Sequence, residues 1–499
     1  MTKQHAYITT AIPYVNGKPH IGNALDYLLA DIWARYQKQN GHEVRFQVGT
    51  DEHGNKIAAK AQANGLDPQG YVDSMYGKFK VLMEAVGAEY TDFIRTTDPH
   101  HVAAVQYIWQ RLAQAGLIYK HTYEGWYCVG HEAFFTDKEV HETNGICPDH
   151  QTPYERVSEE NYYLKASAFT EQIRQAITEG RMKIVPEFRK NEFLELIKNG
   201  VQDVSISRPR KTLSWGVPVP GDDSQVMYVW LDALANYITV LGYPDRADEW
   251  QAYWPADVQV IGKDILRFHA GIWPAMLLGL GLPLPKTLLV HGFVHVGGSK
   301  MSKTVGNVVD PMEIIQSYGA DAFRYFFARH IPTQDDGDFT WEKFEKAYNG
   351  ELGNDLGNLV QRVAAMLTRY QAGVIGDAPQ AEHDMTIYRD MMQRLEFDKA
   401  LDEVWSSVRS LNQYLERVKP WEIAKRRATD HDAESHLSEV LAYAASTLLQ
   451  IADELVPFMP ATAQAIHTIF GTGVVPADVP PLFPKRYIHT PDPRARAAS

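Results

Sequence analysis

The sequence predicts an α/β protein: a doubly wound parallel sheet, split by a connective insertion and followed by an all-α helical bundle. Three observations carry this. The opening residues read strand, loop, helix, strand, which is the start of a parallel sheet. Residues 115–229 then break the pattern with polar, aromatic-rich sequence that holds both cysteines. From residue 352 to residue 470 the apolar positions keep helical spacing with no strand-like alternation.

The elements follow in order. Residues 5–10 read as a strand, and residues 11–19 as a loop punctuated by Pro13, Gly17 and Pro19. A helix begins near His20, because Ile21, Leu25, Leu28, Leu29, Ile32, Trp33 and Tyr36 share one face and Asn40-Gly41 supplies a stop. Residues 43–48 form the next strand. After the insertion the sheet is expected to resume with strands at 226–231 and 258–261, a helix over 265–280 and a strand at 287–291. A Gly297-Gly298 loop and a helix capped by Asp310-Pro311 come next.

These elements predict segments at 1–114 (first half of the sheet domain), 115–229 (insertion, with a knuckle at 128–150) and 230–291 (second half). A loop and contact region at 292–350, the bundle at 351–475 and a Pro-rich tail at 476–499 complete the chain.

Composition narrows the class. In 499 residues, 45% are hydrophobic and 22% charged, which suits a water-soluble protein of several units. No apolar run reaches membrane-spanning length. The first residues resemble neither a signal nor a transit peptide, so a cytoplasmic location is expected. The net charge of −13 does not advertise nucleic-acid binding, although a local basic strip, rather than the sum, governs phosphate contacts.

Two segments bear chemistry. His20 lies where a loop meets a helix N-terminus, a place that favours anions. Gly22 permits close approach of a ring or phosphate, and His20 and Asn23 lie on one helical face. A plain helix start capped by histidine explains the segment equally well. The second segment is Gly297-Gly298-Ser299-Lys300-Met301-Ser302-Lys303-Thr304, a glycine loop with two lysines three apart. Mobile ammonium groups suit a departing polyphosphate, and the spacing is not that of a Walker loop. Taken alone, such a loop also reads as a solvated turn.

Together, in this order and about 280 residues apart, the segments resemble the HIGH and KMSKS motifs of class I aminoacyl-tRNA synthetases. The chain from about residue 5 to 470 resembles the methionyl-tRNA synthetase family of bacterial type. The first motif here is His20-Ile21-Gly22-Asn23, with Asn23 where the family usually has a second histidine. The second ends in Thr304 rather than serine.

The resemblance implies a Rossmann-like catalytic domain and a methionine-tRNA ligase. Such an enzyme joins L-methionine and ATP into methionyl-adenylate, then transfers methionine to the 3′-terminal adenosine of tRNA(Met), the initiator tRNA included. The amino-acid carboxylate is already ionised, so attack on the α-phosphate needs no general base. Catalysis then rests on positioning and charge stabilisation. It also implies that His20, Asn23, Lys300 and Lys303 handle phosphates, with Mg2+ held mainly by the phosphates themselves. Gly22 would also belong to the ATP site, while Gly262, Asp264 and the Met301 backbone would lie near the nucleoside, and an N-cap role for Asp264 is compatible with this.

The methionine site would comprise Ala11, Ile12, Tyr14, Asp51, Trp230, Ala233, Leu234, Tyr237 and His269, with Leu234 where the family commonly has proline. Aromatic edges suit a thioether, and Asp51 would pair with the α-ammonium. Without the resemblance, Trp230, Tyr237 and His269 read as core residues. One methylene is worth roughly 1–3 kcal/mol, so relatives specific for branched-chain amino acids need a large editing domain. The short insertion here favours methionine, or cysteine, over those substrates.

Cys128 and His131, then Cys147 and His150, form two C-x2-H pairs that suit tetrahedral Zn2+, with His141 as a spare ligand. A metal-free knuckle held by packing is the alternative. By resemblance the bundle would read the anticodon through Asn358, Arg362 and Trp421, by stacking and base-edge hydrogen bonds. In isolation Trp421 would be a core residue. With no further module after the bundle, a monomer is expected.

Overall fold

The computed structural model describes residues 4–129, 133–149, 151–301, 307–377, 384–430 and 432–489. Six strands form the central sheet: β1 (His5–Thr10), β2 (Glu43–Thr50), β3 (Asp92–Arg95), β4 (Lys183–Val185), β5 (Val258–Gly262) and β6 (Thr287–His291). Every neighbouring pair is parallel, in the order β3-β2-β1-β5-β6-β4. The strands spread to opposite sides from the β1–β5 boundary, which opens a crevice at their carboxyl ends.

The helices used below are α1 (Ile21–Gln39), α2 (Asn55–Ala63), α3 (Val229–Thr239), α4 (Ala320–Arg329), α5 (Asn358–Gln371), α6 (Phe397–Val418), α7 (Pro420–Arg426), α8 (Ala433–Leu455) and α9 (Pro460–Phe470). Every apolar position predicted for the first helix is buried in α1. One continuous core joins α1 and one face of the sheet to the helical bundle, and a second, centred on Leu231, Leu234, Tyr237 and Trp273, covers the other face. Fully buried Arg324 of α4 fastens these parts. It pairs with Asp31 of α1 at 2.7 Å and donates to the carbonyls of Pro457 and Phe458 between α8 and α9.

Two expectations change. Residues 222–227 form a strand of a small antiparallel sheet with Ser207–Pro209 and Pro218–Val219, and α3 begins at Val229. The apolar run at 226–231 is therefore not a strand of the main sheet, because such a run does not by itself distinguish a strand from a buried helix. The segment 115–229 is also not wholly separate. Its hairpin of Ile118–Cys128 and Glu155–Leu164 stands apart, but β4 returns to the edge of the main sheet beside β6.

The helix expected over 265–280 is a composite of a 3-10 turn, a π-helical stretch at Phe268–Ile272 and the α-helix Trp273–Gly279. In the last described stretch, Arg486 N donates to Asn349 Oδ1 and the His489 ring stacks 3.5 Å from Trp341. Among the described residues no helix is long and apolar enough to cross a membrane.

Candidate active site

The crevice at the sheet's switch point holds a cavity of about 670 Å3. The loop after β1 supplies Ala11, Ile12 and Tyr14, the end of β2 supplies Asp51, and α3 supplies Trp230, Ala233, Leu234 and Tyr237. The N-terminus of α1 adds His20, Gly22 and Asn23. Gly262 and Asp264 follow β5, His269 comes from the π-helical stretch, and Lys300 and Met301 close the rim. Residues far apart in sequence thus meet because β1 and β5 are neighbours. Lys303 lies outside the described residues.

At the α1 end, His20 is itself the N-cap. Gly22 N donates to His20 Nδ1 at 3.1 Å, and His20 N donates to Asn23 Oδ1 at 3.1 Å. The capping and functional readings of this segment therefore coexist. Because Nδ1 accepts, the neutral ring carries its proton on Nε2. A Cβ built on Gly22 would lie 3.0 Å from that ring, so only glycine leaves the imidazole where it is.

The aromatic end is more deeply buried. Tyr237 Oη lies 2.7 Å from His269 Nε2, and His269 Nδ1 lies 3.0 Å from the Ile265 carbonyl. The carbonyl only accepts, so Nδ1 carries the proton and Tyr237 donates to Nε2. Burial holds the pKa of His269 down at about 4, so the ring is neutral at ordinary pH. Trp230 stacks on Phe268 with centroids 3.6 Å apart, which fixes its indole in the cavity wall.

Asp26 and His291, absent from the sequence-based set, also line the cavity. His291 Nε2 bonds Asp26, and its Nδ1 faces the Gly292 carbonyl at 2.8 Å. Burial alone would lower the pKa of His291, but the Asp26 carboxylate more than offsets this and raises it. The pair ties α1 to the end of β6. Asp26 continues the three-residue spacing of His20 and Asn23, which was a usable signal. His291 ends a parallel strand, but nothing local marks its partner.

The lysine loop is braced from below. Strand Val294–Val296 pairs with Ser299–Lys300 through the turn at Gly297 and Gly298, whose φ of +61° and +78° favour glycine. Gly298 N donates to Asp338 at 2.7 Å. The Lys300 ammonium sits 5.0 Å from the Phe293 ring centroid, and Lys263, bonded to Asp336, lies 4.6 Å from the same ring.

In the knuckle, Cys128 and Cys147 are fully buried with Val140 and Tyr154 and form no disulfide. His131 and His150 lie outside the described residues, while His141 sits exposed on the helix Asp137–Glu142. In the bundle, Asn358 and Arg362 lie on α5 and half-buried Trp421 on α7, and both helices pack against α8. Arg362 is held by Glu416 and, at 3.0 Å, by Asn412 of α6.

A doubly wound sheet with a phosphate-type helix start on one side of its switch point and a lysine loop on the other defines a nucleotide-dependent enzyme. The family model for tRNA synthetases class I (M) matches residues 6–159 and 150–364, and the chain belongs to that family.

Among relatives, it is 42% identical over 481 residues to the methionine–tRNA ligase of Caldanaerobacter subterraneus subsp. tengcongensis, covering 94% of this chain and 74% of that protein. It is 40% identical to the methionine–tRNA ligase of Brucella suis, covering 96% and 93%. Among solved structures, Mycobacterium tuberculosis methionyl-tRNA synthetase in complex with methionyl-adenylate superposes with a TM-score of 0.90 at 34% identity, covering 96% of this chain and all of that one. The apo form of the same protein gives 0.82 at 31% identity.

Proposed function

We infer that the chain is a methionine-tRNA ligase. It activates L-methionine with ATP to methionyl-adenylate and pyrophosphate, then transfers methionine to the 3′-terminal adenosine of tRNA(Met). The observation that carries this reading is the one cavity at the sheet's switch point that holds both halves of the site. Its one end is aromatic and neutral, its other end is a helix N-terminus, and a lysine strand closes the rim.

In this reading the methionine side chain lies against Trp230 and Tyr237, with Ala11, Ile12, Ala233 and Leu234 around it and Asp51 taking the ammonium. The neutral Tyr237–His269 pair keeps this end free of charge, which suits a thioether and rejects a charged side chain. Tyr14 closes the pocket. His20 and Asn23 donate to phosphate oxygens, Gly22 gives the nucleotide room, and Gly262, Asp264 and the Met301 backbone hold the nucleoside. Lys300 and Lys303 stabilise the charge that gathers on the leaving pyrophosphate. Mg2+, held mainly by the phosphates, would neutralise further charge there.

The two buried thiols suit a structural Zn2+ completed by His131 and His150, which would brace the insertion. Asn358, Arg362 and Trp421 read the anticodon. The deciding test is ATP–pyrophosphate exchange across a panel of amino acids. Exchange with methionine is expected, and exchange with cysteine alone would overturn the reading.

A further inference from the structure

One side chain joins three of the elements that frame the active-site cavity. His291 ends β6, is buried, and sets its Nε2 against the Asp26 carboxylate of α1. A Cβ built on Gly262, at the end of β5, would lie 3.8 Å from its Cε1 atom. Asp26 follows His20 and Asn23 along α1, and all of these residues line the cavity.

Both nitrogens of this ring face acceptors. Nδ1 lies 2.8 Å from the Gly292 carbonyl, and Nε2 lies against a carboxylate. A neutral imidazole has one N–H, so the two bonds need a second proton. An imidazole binds it more tightly than a carboxylate does, with reference pKa values of about 6.5 and about 3.9. The ring is therefore an imidazolium beside an ionised Asp26. Burial works against that charge, but Asp26, the Gly292 carbonyl and Asp264 together raise the ring's pKa. The other charges nearby are Lys263, next to Asp264, and Asp336, which bond each other at 2.7 Å.

His291 also stands at the root of the lysine strand. Gly292 follows it, and a Cβ there would come within 2.2–2.4 Å of the Asp335 and Asp336 backbone, so the root is wedged against that loop. Phe293 N donates to Asp336 at 2.8 Å, and His295 pairs in register with Lys300. The position of His291 thus sets where the Lys300 strand runs relative to His20 and Asn23.

We propose that Asp26 and His291 are positioning residues for adenylate formation, an imidazolium–carboxylate clasp that holds the lysine strand over the phosphate-handling start of α1. The inference rests on the methionine-activation reading above. When the ring loses a proton, a nitrogen lone pair faces either the carboxylate or the carbonyl, and the clasp opens. The two phosphate-handling segments then lose their mutual register, and a displacement of about 1 Å costs on the order of 100-fold in rate.

The test combines pyrophosphate exchange at saturating substrates with a direct view of the ring. In Asp26→Ala, kcat should fall about 30-fold or more, while the KM for methionine changes less than about threefold. Asp26→Asn should recover at least about tenfold of that loss, because its amide donates to Nε2 of a neutral ring. In the unsubstituted enzyme kcat should also fall as rising pH takes His291 through its raised pKa, and Asp26→Asn should lack that limb. Nitrogen-15 spectra of histidine-labelled protein at about pH 7 should show an imidazole protonated on both nitrogens that is missing from His291→Gln. Wild-type kcat in Asp26→Ala, no recovery or an unchanged limb in Asp26→Asn, or a singly protonated His291 would overturn the proposal. Absence of exchange in the unsubstituted enzyme would instead overturn the parent reading, and the spectra would still decide the pair.

Discussion

Tyr237 Oη donates to His269 Nε2 across 2.7 Å inside the aromatic end of the active-site cavity, and the Ile265 carbonyl fixes the tautomer that makes this possible. The bond makes two residues behave as one neutral wall.

Removing the donor tests that wall. Tyr237→Phe leaves a buried imidazole nitrogen unsatisfied, which costs about 1–3 kcal/mol. The KM for methionine in pyrophosphate exchange should rise about tenfold, with a smaller change for ATP. An unchanged methionine KM would place the pair outside the amino-acid site.

The pH dependence of stability follows from His269. Its pKa falls from 6.5 in the unfolded chain to about 4 in the fold, so the unfolded state binds more protons between these values. Stability should therefore be complete above about pH 6.5 and fall toward pH 4, by at most about 3 kcal/mol from this group. Urea midpoints of the unsubstituted protein and His269→Asn, measured across that window, should converge as pH falls.

Gly22→Ala places a methyl group 3.0 Å from the His20 ring and must displace it. Exchange kcat should fall roughly 10–100-fold as one phosphate donor is misplaced. Retained activity would show that the His20 ring is not needed where the structure holds it.

Lys300→Ala should lower exchange kcat by about 100-fold with little effect on the KM for methionine, because the ammonium acts on charge that develops during the reaction. A pure KM effect would assign it to ground-state binding.

Elemental analysis of protein purified without chelator should find about one zinc per chain. Substoichiometric metal in folded protein would assign Cys128 and Cys147 to packing. In the bundle, Trp421→Ala should reduce charging of full-length tRNA about 10–100-fold, the loss of one stacked base. Equal charging would make Trp421 a core residue only.

What was legible in the sequence was local or periodic. The α1 face, the cap at His20, the glycine turn at Gly297-Gly298 and the strand at Thr287–His291 follow from spacing and from backbone rules that act over a few residues. The resemblance to a known family then pointed to Trp230, Tyr237 and His269, which by residue type alone read as core. The strand at 226–231 failed because an apolar run does not reveal which sheet, or which element, will bury it.

Local spacing therefore marked most of the helices and loops in advance, 226–231 and the composite stretch at 265–280 excepted, and pointed to the segments read as phosphate-handling. What those side chains meet was settled by long-range packing. Asp26 finds His291, Tyr237 finds His269 and His53 finds Asp232 because the strand order places distant loops at one switch point. Pairings of that kind depend on which strands become neighbours, a choice made by burial of the whole core and not by any single segment.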